Sequence, residues 1–399
     1  MLRFASSQSD SVNSAKAMQE CLDESLASLG AEFCDLLVIH ATVGHSFKGL
    51  LEEARKRLPN AEIIGCSANG IIGRKGASER MRSLAIMAVS GTAEFSVAWA
   101  DSIRGATSFD VSAKAATQLK SENDGINIIN VLASGIDIAA DQVIAGIESV
   151  FGSDVSIIGG TSSDNMKALV SYQLAGDHVL ERGIVLLGFS DPTLALVAGG
   201  CHGSVPVGQP FEVTAAEDNR VDELDGQPAW PTLMDRLGLP AESDAGSVLV
   251  VSALGQEVPA ESADAYGNST VIHTIFKVSD DHQSLYLPAS CPVGAKLWLM
   301  QRDEEAIFEG TDSLVAAITE KLKGRTPVAV FQTDCAARGR MMFNKIAKDE
   351  IIARMQEPIM QGKGVPWLGL YGFGEFTPVH GTNHFHTQTS SIYALVRKD

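Results

Sequence analysis

The segment DLLVIHATVGHSFKGLLEEARKRLPNAEIIGCSANG, residues 35–70, decides the fold class of this chain. It opens with a nearly continuous apolar run, which is typical of a strand buried on both faces. A helical pattern follows over Ser46–Leu58, and Ala61–Ile64 forms the next short strand. A strand, a helix and a second strand in this order predict a parallel pair joined by a crossover helix. The sequence therefore predicts an α/β fold.

A second strand–helix–strand unit runs from Ile126 to Ile158, with its helix over Ile138–Val150. Between the two units, Leu84–Val89 and Phe95–Trp99 are separated only by Gly91-Thr92-Ala93. Two short apolar runs joined by a turn of this length predict a β-hairpin.

The length of 399 residues exceeds what one hydrophobic core usually serves. The composition shifts near residue 205, where Pro206, Gly208 and Pro210 lie close together. Clustered proline and glycine are typical of a segment between domains. We therefore expect two mixed α/β domains, residues 1–205 and residues 206–399.

The net charge of the chain argues against some classes of binding partner. The chain has 49 acidic and 31 basic residues, a formal net charge of −18. Such a chain is not expected to bind nucleic-acid backbones or anionic membrane surfaces. No apolar stretch approaches the ~20 residues of a membrane span, and the first residues lack a signal-peptide pattern. We expect a cytoplasmic protein whose six scattered cysteines are reduced thiols.

Three clusters of small and polar residues follow predicted strands: Gly65–Gly70, Gly159–Asn165 and Asp334–Arg340. Parallel α/β sheets bind small molecules at the carboxyl ends of their strands, where small residues let backbone amides approach a ligand. The clusters predict one ligand pocket built from several loops. The candidate ligand-binding residues are Cys66, Ser67, Asn69, Gly160, Thr161, Asp164, Asn165, Arg338 and Glu375.

The first cluster permits more than one interpretation. It resembles a nucleophile elbow, although Asn69 stands where the second glycine of GxSxG would be. Cys66 or Ser67 is then a candidate nucleophile, but no neighbouring histidine in the sequence supplies a base. The alternatives are a tight turn that packs small side chains, or a turn that presents ligand contacts.

The second and third clusters carry hydrogen-bonding groups. Gly159-Gly160-Thr161 can offer backbone N–H groups to an anion, and Asp164 with Asn165 can bind a ligand amine or cap a turn. An arginine near a helix start is disfavoured by the helix dipole. Arg338 is therefore a candidate for binding a ligand carboxylate bidentately, with a solvent-facing side chain as the alternative.

The last candidate group lies near the carboxyl terminus. On a strand, His384 and His386 point to the same face. They can hold a metal together or a haem iron singly, and hydrogen-bonded histidines beside a loop are the alternative. Glu375 can pair with an arginine or with a ligand amine.

These clusters, in this order, resemble the FIST family of bacterial sensory proteins. Residues from Asp35 to about Val205 resemble its amino-terminal part, and residues from Val221 onward resemble its carboxyl-terminal part. The matching segments are Gly65-Cys66-Ser67, Gly159-Gly160, Leu224-Asp225-Gly226-Gln227-Pro228-Ala229, Cys335 to Arg338, Gly374-Glu375 and His386-Thr387-Gln388-Thr389. One departure is Thr387, where the family more often has asparagine.

The resemblance implies a signal-transduction protein that senses a small molecule and is not an enzyme. Some stand-alone members, the NosP proteins, bind haem, sense nitric oxide and regulate a partner histidine kinase. The resemblance thus implies haem b on His386 or His384, a gas ligand, and a histidine kinase or another signalling protein as partner. An amino-acid-like ligand held by Arg338, Glu375 and Asp164 is the first alternative. A metal-dependent hydrolase that uses both histidines is the second.

Overall fold

The computed structural model describes residues 1–91, 94–249 and 252–398. The helices are α1 (Ser14–Leu29), α2 (Phe47–Arg57), α3 (Ser108–Glu122), α4 (Ala140–Phe151), α5 (Ala229–Leu237), α6 (Ala245–Leu249), α7 (Ala260–Tyr266), α8 (Glu304–Leu322) and α9 (Lys345–Met360), with 3₁₀ turns at Gly105–Thr107 and Ala336–Arg338.

The strands up to residue 201 are β1 (Arg3–Ser9), β2 (Leu36–Thr42), β3 (Glu62–Ala68), β4 (Gly70–Gly73), β5 (Gly76–Ser78), β6 (Leu84–Ser90), β7 (Phe95–Ala100), β8 (Ile128–Ala133), β9 (Ser156–Thr161), β10 (Gln173–Ala175), β11 (His178–Leu180), β12 (Ile184–Phe189) and β13 (Leu194–Cys201). The later strands are β14 (Ser204–Glu217), β15 (Arg220–Leu224), β16 (Gln227–Pro228), β17 (Ala253–Glu257), β18 (Thr270–His273), β19 (Lys277–Val278), β20 (Leu285–Tyr286), β21 (Lys296–Arg302), β22 (Ala329–Cys335), β23 (Trp367–Gly372), β24 (Glu375–Val379), β25 (Thr382–His386) and β26 (Ser390–Arg397).

One arrangement of elements occurs three times along the chain. Each unit runs strand, helix, strand, helix, strand, hairpin, strand. Unit 1 covers residues 3–90, unit 2 covers residues 95–189, and unit 3 covers residues 194–397. Unit 3 is interrupted after β13 by an insertion, residues 204–302, which forms a separate antiparallel sheet with α5, α6 and α7. The chain is therefore a threefold repeat with one added module.

The three units exchange their hairpins in a ring. Each unit builds a sheet whose strands follow the order first, last, second, third: β1-β6-β2-β3, β7-β12-β8-β9 and β13-β26-β22-β23. A hairpin from another unit then extends each sheet at the third strand. Hairpin β10–β11 joins the sheet of unit 1, β24–β25 joins that of unit 2, and β4–β5 joins that of unit 3. Every unit thus completes the sheet of a neighbour.

The three sheets enclose a common core. Their inner faces contribute Val38, Leu132 and Phe331, one from each sheet, to a single apolar cluster. Their outer faces are covered by α1 with α2, by α3 with α4, and by α8 with α9. Strands buried on both faces explain the nearly continuous apolar runs in the sequence.

A glycine occupies the third strand of each unit where the neighbouring parallel strand comes closest. An added Cβ would collide with the carbonyl oxygen of the register partner in every case, at distances that essentially no real Cβ shows. The glycines and their partners are Gly65 with Ile39, Gly159 with Val131, and Gly369 with Gln332. Only glycine permits this approach, so these residues mark the repeat.

The structure confirms both predicted parallel pairs, β2–β3 and β8–β9, and adds a third, β22–β23. The predicted hairpin between Leu84–Val89 and Phe95–Trp99 is wrong. β6 pairs with β1 and β2, whereas β7 pairs with β12 in another sheet. Thr92 and Ala93 of its predicted turn lie outside the described residues. The short connection joins two units instead of two neighbouring strands.

The predicted boundary between residues 205 and 206 falls inside β14, at the start of the insertion. Two sheets of the threefold core combine strands from both sides of it. The division into two domains stays a prediction. In the described part of the chain, no helix has the length and apolarity needed to cross a bilayer.

Candidate ligand site

The third cluster forms a buried ion pair at the end of β22. Arg338 donates from Nε to Asp334 Oδ1 at 3.0 Å and from Nη1 to the carbonyl of His202 at 2.7 Å. Its Nη2 is buried and has no hydrogen-bond partner among the described residues. The guanidinium thus binds a carboxylate of its own chain through one nitrogen, and the contact with a ligand carboxylate stays a prediction. One donor remains for a further group.

Glu375 lies beside this ion pair and is fully buried at the start of β24. Its Oε2 accepts the Thr389 N–H at 3.3 Å, while its Oε1 has no partner in the described structure. Burial, and then the charge of Asp334, raise the pKa of Glu375 well above its usual range. The raised pKa favours the neutral, protonated form of the Glu375 carboxyl group, and burial also raises the pKa of Asp334, which lies 3.0 Å from the Arg338 guanidinium.

The second cluster is divided between a strand end and a loop. Gly160 and Thr161 end β9, and the Thr161 N–H donates to the Gly374 carbonyl at 2.9 Å. Asp164 accepts backbone N–H groups of the loop residues 167–169 at 2.8 to 3.0 Å. Its carboxylate therefore shapes its own loop. Asn165 is half-buried in the same loop.

The first cluster is held by internal hydrogen bonds. Ser67 donates to the Ser163 carbonyl at 2.8 Å and accepts the Tyr172 N–H at 2.8 Å. Asn69 donates from Nδ2 to Glu79 at 3.0 Å. Cys66 is fully buried, and burial raises the pKa of its thiol. These side chains lock the first and second clusters together and leave no accessible nucleophile among them.

A cavity of about 650 Å³ opens beside the second and third clusters. One wall consists of segments that follow the carboxyl ends of β8, β9, β22 and β23, and it includes Thr161, Cys335 and Phe373. The opposite wall belongs to the insertion and includes Leu249 and Phe276. The cavity therefore lies at the carboxyl ends of the strands, where parallel α/β sheets bind ligands, and the insertion covers it on the opposite side.

The two candidate iron ligands do not line this cavity. Phe385, which lies between them on β25, faces it, so His384 and His386 point to the other face of the strand. His386 is fully buried, with Nδ1 3.3 Å from the Tyr266 hydroxyl and Nε2 3.3 Å from the Thr377 carbonyl. Burial lowers its pKa to about 3.

His386 does not fit the role of a haem ligand, because its ring is fully buried and both ring nitrogens have hydrogen-bond partners. His384 is partly exposed, and the described residues offer it no hydrogen-bond partner, so a haem bound by this pair would need His384. The two rings lie 6.1 Å apart. Within the described ranges, no group of three or more His, Cys, Asp or Glu side chains is placed to hold a metal ion.

A larger groove, of about 870 Å³, lies on another side of the core, between β5 and α9. Several of its charged groups form ion pairs, among them Lys348 with Glu79 at 3.1 Å, and Arg80 with Asp10 at 3.2 Å. The groove is a polar, charged cleft, and its size alone does not make it a ligand site. The 650 Å³ cavity is the better candidate because it lies at the strand ends and has apolar walls.

Sequence reasoning missed two parts of this architecture. The Glu79 carboxylate accepts hydrogen bonds from Asn69 and from the Arg340 N–H, and it forms an ion pair with Lys348. In the sequence it lies in a polar segment that contains no recognisable motif. The insertion wall of the cavity, with Phe276, likewise follows no recognisable pattern. The one available signal was the composition shift near residue 205, which marks where the insertion begins.

Comparison with known proteins places this arrangement in a family. A sequence profile of the FIST N domain matches residues 35–227, and one of the FIST C domain matches residues 229–378. The chain belongs to the FIST family. FIST domains are sensor domains of signal transduction that bind small ligands. In this FIST protein the two profiles meet inside the insertion, next to β16.

Relatives of this FIST chain include an uncharacterized protein of Mycobacterium bovis, 26% identical over 242 residues, which are 60% of each chain. An uncharacterized protein of Mycobacterium tuberculosis is 25% identical over 60% of this chain and 61% of its own length. The match thus spans less than two thirds of these relatives. Among solved structures, a cyanuric acid hydrolase from A. caulinodans aligns over 100% of both chains at 9% identity. Its TM-score of 0.35 is too low to support a conclusion.

Proposed function

We propose that this FIST protein is a cytoplasmic, non-enzymatic sensor that binds a small organic molecule in the 650 Å³ cavity. The single observation that carries the proposal is that the cavity has one wall from the threefold core and one from the insertion. A molecule that fills the cavity contacts the threefold core and the insertion at the same time.

A ligand in this position can act on the signal by its differential affinity for two arrangements of the insertion. Any arrangement that brings the two walls together gains contacts with the ligand, and its population rises accordingly. The insertion then presents a changed surface to another signalling protein. The outcome is a population shift that a partner, such as a histidine kinase, reads.

The candidate nucleophiles support a binding role over catalysis. Burial raises the pKa of the Cys335 thiol to about 12, so the one cysteine on the cavity wall stays protonated near neutral pH. Ser67 uses its hydroxyl in the bonds to Ser163 and Tyr172 described above. Neither group is prepared to attack a substrate.

Haem-based sensing of nitric oxide is the second candidate, and it rests on the partly exposed His384. An absorption spectrum after haem addition tests it. A sharp Soret band at one haem per chain that is lost in His384→Ala and kept in His386→Ala supports this candidate. A spectrum of free haem rejects it.

The main proposal is tested by a thermal-shift screen of small organic molecules with two matched variants. Ala245 lines the cavity from α6, so Ala245→Trp fills it, whereas Ser247→Trp adds the same bulk to an exposed position of α6 off the cavity wall. We expect molecules that raise the Tm of the wild type and of Ser247→Trp but not of Ala245→Trp. Molecules that stabilise all three proteins equally would show that the cavity is not the ligand site.

A further inference from the structure

The cavity wall indicates the chemical class of the ligand. Aromatic rings stand on both sides, with Phe373 and Phe385 from the core and Phe276 from the insertion, where it is 44% exposed at the mouth. Most other wall residues are aliphatic, such as Ile138 and Ile275. Apolar and aromatic walls of this kind favour flat hydrocarbon surfaces over polar ones.

The charged side chains of the wall stand at the mouth and are already engaged. Asp137 is exposed and lies 3.2 Å from Arg182. Lys277 is exposed and lies over the ring of Tyr286, 5.0 Å from its centre. Neither is placed as a buried counter-ion. A carboxylate or ammonium inside the cavity would lose water without gaining an opposite charge.

The polar groups deeper in the wall are neutral and few. The Thr387 hydroxyl donates to the Ile272 carbonyl at 3.0 Å and accepts the Thr274 N–H at 2.8 Å, so it is satisfied. Among the described residues, the Thr161 hydroxyl makes one long contact, of 3.5 Å, to the Gly374 carbonyl, and burial favours the protonated Cys335 thiol by raising its pKa to about 12. These two groups can serve one hydrogen-bonding group on a ligand.

We propose that the cavity selects an uncharged molecule with one or two aromatic rings and a single hydrogen-bonding group directed at Thr161 and Cys335. The inference rests on the proposed sensory function and specifies its ligand class. The proposed ligand differs from the zwitterion expected for an amino-acid sensor. Arg338 and Glu375, which would bind the charged groups of a zwitterion, lie behind the wall and do not line the cavity.

Three probes with one ring system test the selection: 2-naphthol, 2-naphthoate and 2-naphthylmethylammonium, titrated by calorimetry into the full-length chain. We expect 2-naphthol to bind at least tenfold more tightly than either charged probe. We also expect Ala245→Trp to abolish its binding while Ser247→Trp leaves it unchanged. Thr161→Val, which keeps the shape and removes the hydroxyl, should weaken 2-naphthol severalfold.

Each of the remaining possible results refutes one specific part of the proposal. A charged probe that binds as tightly as 2-naphthol, and that is lost in Ala245→Trp, refutes the ligand class but leaves the cavity as the sensor site. Binding of 2-naphthol that survives in Ala245→Trp refutes the cavity itself. Failure of all three probes refutes the aromatic ligand class, while the small-molecule screen with the same variants decides the sensory function independently.

Discussion

The three glycines of the repeat provide a direct test of the threefold core. We consider Gly65→Ala, Gly159→Ala and Gly369→Ala, each of which adds one methyl group next to a carbonyl of the neighbouring parallel strand. The added carbon comes closest at Gly65, next at Gly159, and lies 2.8 Å from the Gln332 oxygen at Gly369, where an ordinary contact is at least 3.4 Å. Gly159 also has a φ of +111°, which alanine adopts only with strain.

The expected cost follows from these overlaps. Forcing extra methyl groups into a packed core costs about 1–3 kcal/mol, and more where backbone must move. Because the obstacle is a sheet carbonyl, we expect the free energy of unfolding to fall by about 3 kcal/mol or more for Gly65→Ala and Gly159→Ala. For Gly369→Ala we expect about 1–2 kcal/mol.

Urea unfolding followed by circular dichroism and tryptophan fluorescence measures the three costs. Gly105→Ala is the control, because its added carbon would lie 3.6 Å from the nearest atom, and it should stay within about 0.5 kcal/mol of the wild type. Should all three core variants behave like this control, the close strand contact that defines the repeat would be wrong. If Gly65→Ala or Gly159→Ala is too unstable to purify, Gly369→Ala, which has the smallest expected cost, can still be measured.

Three further predictions follow from the same structure. Chains cut between residues 205 and 206 should yield two fragments without cooperative thermal unfolding, because two sheets combine strands from both sides; a sharp transition in either fragment would contradict this. Glu375 keeps its proton in the folded state and releases it on unfolding, so this group contributes a loss of stability of about 1.4 kcal/mol per pH unit as pH rises above the ordinary glutamate range, until the raised pKa of the folded state is reached. Glu375→Gln should remove this contribution in urea titrations from pH 7 to 8, above the range in which the histidines titrate, and an unchanged slope would place the titration elsewhere. His202 and His386 are neutral when folded, with pKa values lowered by burial to about 4 and about 3, so these two groups contribute a loss in the opposite direction, as pH drops below about 6.5. His386→Gln should make the free energy of unfolding depend less steeply on pH in this acid range, by the contribution of one proton. A variant with the same pH dependence as the wild type would contradict burial of His386 in its neutral form.

Local pattern was sufficient for the parallel pairs, because a strand covered on both faces must be apolar at nearly every position. It was insufficient for Leu84–Val89 and Phe95–Trp99. Proximity along the chain favours a hairpin, but the pairing is decided by which inner face each strand completes. The hairpins β4–β5 and β24–β25 pair with strands hundreds of residues away, and nothing in their own sequence names the partner.

The same distinction applies to the candidate site. The small and polar clusters do mark the carboxyl ends of strands, since turns there require such residues. Which side chains remain available to a ligand depends on hydrogen bonds made after folding. Ser67 and Asp164 are used within the core and its loops, whereas Thr161 reaches the cavity. Arg338 shows the limit most clearly, since the sequence suggested a ligand carboxylate as its partner, whereas in the structure Asp334, four residues earlier, lies 3.0 Å from the guanidinium.

The position of the cavity follows from the way the repeat is broken. Three equivalent units place three equivalent sets of strand ends around the core, and hairpin exchange gives each set the same kind of neighbour. Only unit 3 carries the insertion, and its segments near Leu249 and Phe276 cover the strand ends of β8 and β9 in unit 2. A molecule at this point contacts the threefold core on one side and the insertion, which lies outside the repeat, on the other. Such a ligand acts on a signal only through a difference in its affinity for two arrangements of these walls, which is the requirement for any allosteric sensor.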